Sequence, residues 1–359
     1  MTNSIPEIEN NDVLFVIGSN TTETHPIIGL RMKKAVRKGA KIIVADPRRI
    51  NLVGHAHKWL QHKPGTDVVL LNSIMPVIFK HNLIDRIFIL SRTEGFEPFR
   101  NMISKYTPEY AEKITGVPKE DIIEAALLYG KAKRPGIYYT MGITQHTHGT
   151  DNVLSIANLA LMTGNLGMES TGVNPLRGQN NVQGATDMGC IPDNYPGYQK
   201  VEVPAIREKF ERKWGVKLSE KKGLTSTLMI NEIIKGKLKA LYIMGENPAL
   251  SDPDINHTVK AFKKLELMVV QDIFLTETAK LADVVLPAAS YAEKEGTFTN
   301  TERRVQRVRK AVDPPGQAKE DSKIIIELSS RMGYQMKRDS AEEVFQEIGS
   351  IWQAVTGIT

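Results

Sequence analysis

The chain has 359 residues, of which 41% are hydrophobic and 25% are charged, and a formal net charge of +6. This length predicts two or three domains, and the composition is that of a globular protein whose apolar stretches are too short to span a membrane. Its single cysteine, Cys190, excludes an internal disulfide and any cysteine-ligated cluster built from this chain alone. Aromatic residues amount to 6% and lie apart from the basic segments, so we expect no nucleic-acid role.

The first residues lack a cationic region followed by an apolar core, and therefore predict no secretory signal. A lone cysteine favours a reducing compartment, so we expect a cytoplasmic location, with export of the complete protein left open. The modest basic excess suits a protein that holds phosphorylated cofactors and attracts a small anionic substrate.

Strands and helices alternate along the chain. Apolar residues 12–19 and 41–46 predict two strands joined by a helix over 27–39, and a third strand follows at 136–142. The alternation restarts near Asn180, with strands at 240–248, 266–274 and 283–288. Further helices are predicted at 66–82, 97–106, 118–133, 152–167, 225–237, 254–265, 276–282, 321–333 and 340–352. This order predicts an α/β protein with two αβα, doubly wound, Rossmann-like domains and mostly parallel sheets.

Three domains are predicted. Residues 1–179 form the first αβα domain and end in the loop RGQNN, residues 180–320 form a second αβα domain that we expect to be incomplete, and residues 321–359 form a helical segment of a further domain. Residues 168–198 lack periodicity and are dense in Gly, Asn, Gln and Pro, which predicts a long structureless loop with a functional role.

Doubly wound sheets bind ligands beyond the carboxyl ends of their strands. Four loops leave such ends, at 18–20, 45–49, 141–145 and 244–248. Asn20 precedes a helix start that offers N–H groups to a phosphate, and Asp46 lies where dinucleotide folds place a carboxylate that accepts from ribose hydroxyls. An ordinary turn and a helix cap are the alternative for both residues. No G-x-G-x-x-G is present, so a conventional NAD site is weakly supported.

Two histidine pairs, His55/His57 and His146/His148, have the i, i+2 spacing that points both side chains the same way on a strand. Zinc sites need three or four ligands, and the sequence offers no third ligand beside either pair. We therefore expect solvated or hydrogen-bonded histidines and no metal ligand in this chain.

The segment GVNPLRGQNNVQGATDMG, residues 172–189, contains a single basic side chain, Arg177, among amides and glycines that let the backbone approach a ligand closely. A guanidinium binds a carboxylate through two parallel N–H donors. A structural arginine on an exposed loop is the alternative, although the loop has no acidic residue before Asp187.

These motifs resemble a known family. The run VNPLRGQNNVQGATDMG followed by PDNYPGY closely resembles the loop of molybdenum- or tungsten-containing formate dehydrogenases, and EKEGTFTNTERRVQ is similar to a signature of the wider molybdopterin oxidoreductase superfamily. The strand ends GSN, ADPRR, MGITQ, MGENP and VVQDIF match that family in order and spacing, so the resemblance covers essentially the whole chain.

The resemblance implies a bis(molybdopterin guanine dinucleotide) cofactor with molybdenum or tungsten, held between two αβα domains, and so implies that both are nucleotide-binding domains. It implies formate as substrate, reversible oxidation to carbon dioxide, and an electron-transfer subunit or acceptor in the complete enzyme. Arg177 would bind the substrate, and Gln179 would face the metal with it. The other cofactor-binding residues would be Asn20, Asp46, Arg48, Asp67, Met141, Gly142 and Gln145 in the first domain, and Gly245, Glu246, Asn247, Gln271 and Asp272 in the second.

Complete family members also carry cysteines for a 4Fe-4S cluster and a selenocysteine or cysteine that ligates the metal, and neither is found in this chain. We expect an in-frame UGA codon shortly upstream of Met1, and we expect the chain alone to be inactive. Cys190 lies in the loop after DMG and is not that metal ligand.

Three alternatives remain at this point. A related oxidoreductase could act on a different small oxyanion, and a non-catalytic superfamily member could serve as a structural subunit of a respiratory complex. The third alternative is an NAD-binding dehydrogenase, which the missing glycine fingerprint disfavours.

Overall fold

The computed structural model describes residues 1–336, 338 and 340–358. The chain divides into two compact units. Unit 1 comprises Met1–Asn180 and Thr301–Arg304, and unit 2 comprises Asn181–Asn300 and Val305–Thr359. Residues 321–359, which the sequence assigned to a separate helical segment, lie within unit 2. Within the described ranges, no helix combines the length and the apolar character needed to cross a membrane.

Unit 1 contains a five-stranded parallel sheet with the strand order β3-β2-β1-β4-β5. Its strands are β1 (Val13–Ile17), β2 (Lys41–Ala45), β3 (Lys58–Leu60), β4 (Pro135–Tyr139) and β5 (Gly172–Pro175). Its helices are α1 (Thr21–Thr24), α2 (Pro26–Arg37), α3 (Asp67–Lys80), α4 (Arg86–Arg92), α5 (Phe96–Ile103), α6 (Pro108–Thr115), α7 (Lys119–Lys131), α8 (Met141–Thr144) and α9 (Gly149–Met162). Short 3₁₀ helices lie at Pro6–Asn10 and Asn51–His55.

Both faces of the unit 1 sheet are buried. Side chains alternate across a strand, so Phe15 and Ile17 of β1 join the apolar cluster that contains residues of α3, α7 and α9. Leu14 and Val16 join a second cluster, which includes Met32 of α2. A strand that is covered on both faces is apolar throughout, which explains the continuous run VLFVI.

Unit 2 contains a three-stranded parallel sheet with the strand order β10-β9-β8, and two small antiparallel pairs, β6-β7 and β11-β12. The strands are β6 (Asn194–Tyr195), β7 (Gln199–Lys200), β8 (Ala240–Met244), β9 (Leu267–Asp272), β10 (Val284–Pro287), β11 (Gly296–Thr299) and β12 (Val305–Val308). The helices are α10 (Val182–Asp187), α11 (Pro204–Trp214), α12 (Ser226–Ile234), α13 (Pro248–Ser251), α14 (Ile255–Phe262), α15 (Asp321–Arg331) and α16 (Ala341–Ile351). Short 3₁₀ helices lie at Ala279–Leu281, Tyr291–Glu293 and Gln353–Val355.

One face of the unit 2 sheet packs against helices. Ile243 of β8, together with Met268 and Val270 of β9, contributes to an apolar cluster with residues of α12 and α14. On β8, the alternate residues Tyr242 and Met244 are 39% and 49% exposed.

The predicted fold class is confirmed, because both units pair parallel strands with helices as expected. Two local predictions are wrong. Residues 168–198 are not structureless, since they contain β5, α10 and β6. The helix predicted over 276–282 is reduced to the single turn Ala279–Leu281, and the Thr278 N–H just before this turn donates to the Asn247 side chain and not to a helical carbonyl.

Candidate functional site

The carboxyl ends of the unit 1 strands form one edge. The register pairs Ile17 with both Ala45 and Tyr139, and Tyr139 with Pro175, so the four strands end at the same level. The strand order places the reversal of direction between β1 and β4, where open α/β sheets bind their ligands. The loops that follow β1, β2, β4 and β5 therefore meet at this edge, which we call the unit 1 edge.

Two glycines touch at this reversal. The Gly142 N–H donates to the Gly18 carbonyl at 3.2 Å, and the Thr140 hydroxyl donates to the same oxygen at 2.7 Å. A Cβ on Gly18 would lie 2.7 Å from the Gly142 carbonyl carbon, and Gly18 has φ +56°. The chain therefore needs glycine here both for backbone conformation and for space.

Asn20 and Asp46 lie beside these glycines. The Asn20 side chain does not cap α1, and its buried Oδ1, like the buried Thr22 hydroxyl, has no hydrogen-bond partner among the described residues. Buried polar atoms normally have partners, so these two atoms are exceptions within unit 1. The buried carboxylate of Asp46 accepts from the Arg48 N–H at 2.8 Å, which is the turn that the sequence left as an alternative.

Arg177 follows β5, and hydrogen bonds hold its backbone on both sides. Its N–H donates to Thr301 Oγ1 at 2.9 Å, and its carbonyl accepts from His25 Nε2 at 2.7 Å. The residue is exposed. Burial raises the pKa of the neighbouring Tyr139 phenol, and the positive charge of Arg177 opposes that rise. A fixed backbone therefore carries a cationic side chain at the unit 1 edge.

Asp67 begins α3 and is 2% exposed. Its Oδ1 lies 2.9 Å from Nε2 of the buried His62, and its Oδ2 lies 3.9 Å from His146 Nε2. His148 adds a third ligand atom, so that atoms of Asp67, His146 and His148 all lie within 4.8 Å of one another. The sequence could not show this cluster, because α3 and the loop after β4 are far apart along the chain.

The remaining predicted residues of unit 1 are exposed side chains or backbone around the same loops. They are Arg48, Met141, Gly142, Gln145 and Gln179. The structure therefore brings Asn20, Asp46, Met141, Gly142 and Arg177 to one edge, with Asp67 beside His146.

In unit 2, the predicted residues at the ends of β8 and β9 form a second group. The Gly245 N–H donates to the Gln271 carbonyl at 2.9 Å. The Gln271 side chain is fully buried, donates to Asp321 Oδ1 at 2.6 Å and accepts from the Tyr242 hydroxyl. Asp321 in turn pairs with Lys294. Burial raises the pKa of Tyr242, and the negative charge of Asp321 raises it further. Tyr242, Lys294 and Asp321 were not among the site residues predicted from the sequence.

The Asn247 side chain is also engaged within unit 2. Its Nδ2 donates to Glu277 at 2.7 Å, and its Oδ1 accepts from Thr278. Asp272 Oδ1 accepts from the Ile273 N–H at 2.6 Å. Glu246, in the loop after β8, is exposed. Asn247 and Gln271 thus position the strand ends, while Gly245 and Glu246 stay accessible.

Comparison with known proteins gives the family to which the chain is similar. The family model of molybdopterin oxidoreductases matches residues 1–331. The chain is 57% identical over 361 residues to the F420-dependent formate dehydrogenase subunit alpha of Methanocaldococcus jannaschii, a match that covers 100% of this chain and 53% of that protein. It is 46% identical over 360 residues to formate dehydrogenase H of Escherichia coli, covering 100% of this chain and 50% of that protein. The chain thus spans about half the length of these relatives.

Among solved structures, acetylene hydratase from Pelobacter acetylenicus superposes with a TM-score of 0.75 and 22% sequence identity. The match covers 99% of this chain and 53% of that chain. At this level of identity the likeness shows the fold alone.

Proposed function

Because the chain belongs to the molybdopterin oxidoreductase family, we propose that the complete protein oxidises formate to carbon dioxide, reversibly, and that this chain supplies cofactor-binding domains and the substrate-binding arginine. The proposal rests on the position of Arg177, whose cationic side chain lies at the unit 1 edge on a backbone that hydrogen bonds to Thr301 and His25 hold. Formate is a small carboxylate, and a guanidinium can bind its two oxygens through parallel N–H donors.

Unit 1 fits a guanine dinucleotide of the pterin cofactor. Asn20 Oδ1 and the Thr22 hydroxyl would find polar partners in it. Asp46 would accept from ribose hydroxyls. The proposed unit 1 set is completed by Arg48, Asp67, Met141, Gln145 and Gln179.

Unit 2 would bind a second guanine dinucleotide at the ends of β8 and β9. Gly245 and Glu246 are exposed there, with Asp272 at the end of the neighbouring strand. Gln271 and Asn247 are held by hydrogen bonds inside unit 2, so they would shape the loop. When bound, the molybdenum or tungsten of the bis(molybdopterin guanine dinucleotide) supplies the two-electron acceptor.

The role of Arg177 is to bind and orient the carboxylate. Its positive charge offsets the negative charge of formate, and a two-point contact fixes the direction of the C–H bond. The backbone hydrogen bonds of Arg177 fix the point from which its side chain extends. The 4Fe-4S cluster and the electron-transfer partner belong to the proposal for the complete protein, and this chain alone is expected to be inactive.

The test is Arg177→Ala in the full-length protein, measured as anaerobic formate-dependent dye reduction alongside pterin and metal content. Loss of a positioned charge–charge contact should lower the rate by roughly a hundredfold or more while cofactor content stays near normal. Arg177→Lys should also fail, because an ammonium is a point charge and lacks the planar fork. Arg92→Ala, which removes an exposed arginine at the end of α4, is the matched control and should keep full activity.

Asp46→Ala tests the cofactor site in the same preparation, where pterin and metal content is the quantity expected to change. It should lower pterin and metal content together, because Asp46 is proposed to bind the nucleotide and not the substrate. Near-normal activity in Arg177→Ala would contradict the assignment of formate, and full cofactor content in Asp46→Ala would contradict the nucleotide site.

A further inference from the structure

A carboxylate and two imidazoles converge beside the unit 1 edge. Asp67 is buried at the start of α3, and His146 and His148 lie in the loop between α8 and α9. One ligand atom of each lies within 4.8 Å of the other two. We propose that Asp67, His146 and His148 form a binding site for a divalent transition-metal cation such as Zn²⁺, separate from the metal of the pterin cofactor.

The donor set matches this class of ion. Imidazole nitrogen and carboxylate oxygen are ordinary ligands of Zn²⁺, and sites with three protein ligands leave a fourth position for water or another ligand. Ca²⁺ and Mg²⁺ prefer sets made only of oxygen, so two imidazoles disfavour them.

The cluster is incompletely satisfied without an ion. His148 Nε2 is buried and has no hydrogen-bond partner in the described part of the chain. The distance of 3.9 Å between His146 Nε2 and Asp67 Oδ2 is too long for a hydrogen bond. Ligands at tetrahedral Zn²⁺ are about 3.3 Å apart, so an inward movement of roughly 1 Å would complete the site.

A neighbouring group already holds one of the ligands in the way that metal sites require. Asp67 accepts from His62 Nε2 at 2.9 Å through Oδ1, which leaves Oδ2 facing His146. Metal-bound carboxylates typically have such outer hydrogen bonds, which fix their orientation. His146 Nε2 lies 2.9 Å from the Gly142 carbonyl, a hydrogen bond that would be replaced when this nitrogen binds an ion. All three ligands belong to unit 1, and Asp67 is shared with the proposed pterin-binding set, so the test below measures metal binding directly and not formate oxidation.

The experiment uses the 359-residue chain, stripped with a chelator and titrated with Co²⁺ while the visible d–d absorption is recorded, with Zn²⁺ as competitor. Wild type should bind one Co²⁺ per chain, and Zn²⁺ should displace it. His146→Gln and His148→Gln should each weaken binding by at least about tenfold. His57→Gln is the matched control, because His57 lies 3.3 Å from Glu124 but has no third ligand among the described residues, and it should bind as wild type.

A second measurement avoids variants that fold poorly. Zn²⁺ should protect His146 and His148 from diethyl pyrocarbonate, mapped by mass spectrometry, while His57 stays reactive. Absence of stoichiometric metal in wild type, equal binding in all variants, or unprotected His146 and His148 would each overturn the proposal.

Discussion

The two sheets of this chain are built from similar strands but are covered differently. In unit 1, every residue of β1 and β4 is buried, and apolar clusters lie on both faces. In unit 2, the residues of β8 alternate between buried Ile243 and the exposed Tyr242 and Met244. Only one face of that sheet joins a cluster among the described residues. Both strands appear as apolar runs in the sequence, so hydropathy alone cannot tell a sheet covered on two faces from one covered on a single face.

The largest expected difference is in the cost of removing a leucine side chain. Leu14, in the central strand of unit 1, is fully buried, while Leu267, in the central strand of unit 2, is 44% exposed. Leu14→Ala should lower the free energy of unfolding by about 2–5 kcal/mol, because it leaves a cavity. Leu267→Ala should change it by about 0.5 kcal/mol or less. Urea unfolding measures the free energy of unfolding of each variant, and hydrogen exchange of β1 and β9 peptides assigns the loss to one unit. Equal costs for the two variants would show that the Leu267 face is covered in solution.

The second difference concerns the glycines that follow the first parallel strand of each unit. Gly18 has φ +56° and would place a Cβ against the Gly142 backbone, whereas Gly245 has φ +65° with open space around it. Gly18→Ala should therefore cost about 2–4 kcal/mol, from conformation plus overpacking. Gly245→Ala should cost only about 1–2 kcal/mol, from conformation alone. Thermal unfolding of the two variants gives the ranking, and a larger loss in Gly245→Ala would reverse it.

The smallest effect depends on pH. Burial of Glu7 raises the pKa of its carboxyl, but hydrogen bonds from Asn3, from the Ser170 N–H and from Ser4 outweigh burial and lower the pKa to about 2. The unfolded chain titrates near 4.5. The stabilisation is therefore fully present above about pH 4.5 and is lost as the pH falls towards 2.

Glu7→Gln should remove this part of the acid sensitivity. The free energy of unfolding of wild type exceeds that of the variant, and this difference should shrink by on the order of 1–2 kcal/mol between pH 6 and pH 3. Urea midpoints at both pH values measure it. Glu232 in unit 2 has a pKa lowered chiefly by Lys235, against an opposing effect of burial, on an exposed helix end. Glu232→Gln is the control, and an equal pH effect there would remove the contrast between the units.

Much of the scaffold could be predicted because its signals are local. The strands at 13–17, 41–45 and 135–139 and the helix at 26–37 follow from hydrophobic periodicity with Pro26 and Gly39 at the helix ends. The short β3 was missed, since three residues carry little periodic signal. The helix α6 was missed although Thr107 caps it and Pro108 opens it, which is a signal that the sequence contains.

The candidate site was predictable only in part. Asn20, Asp46 and Arg177 follow strand ends, and the order of a doubly wound sheet brings strand ends together. The contact of Asp67 with His146, in contrast, depends on how α3 packs beside the loop after β4. Long-range side-chain contacts of this kind leave no periodic signal, so the cluster of Asp67, His146 and His148 became visible only in the folded chain.

Unit 1 also has an order of assembly during synthesis. Its sheet can be completed once β5 has left the ribosome, but Thr301, whose hydroxyl accepts from the Arg177 N–H, lies 124 residues beyond Arg177 in the chain. A nascent chain therefore forms the unit 1 sheet well before the backbone of Arg177 acquires its hydrogen bond to Thr301. A translation product that ends before residue 301 would have a folded first sheet in which the Arg177 N–H lacks its Thr301 acceptor, so the sheet forms earlier than the full support of the Arg177 backbone.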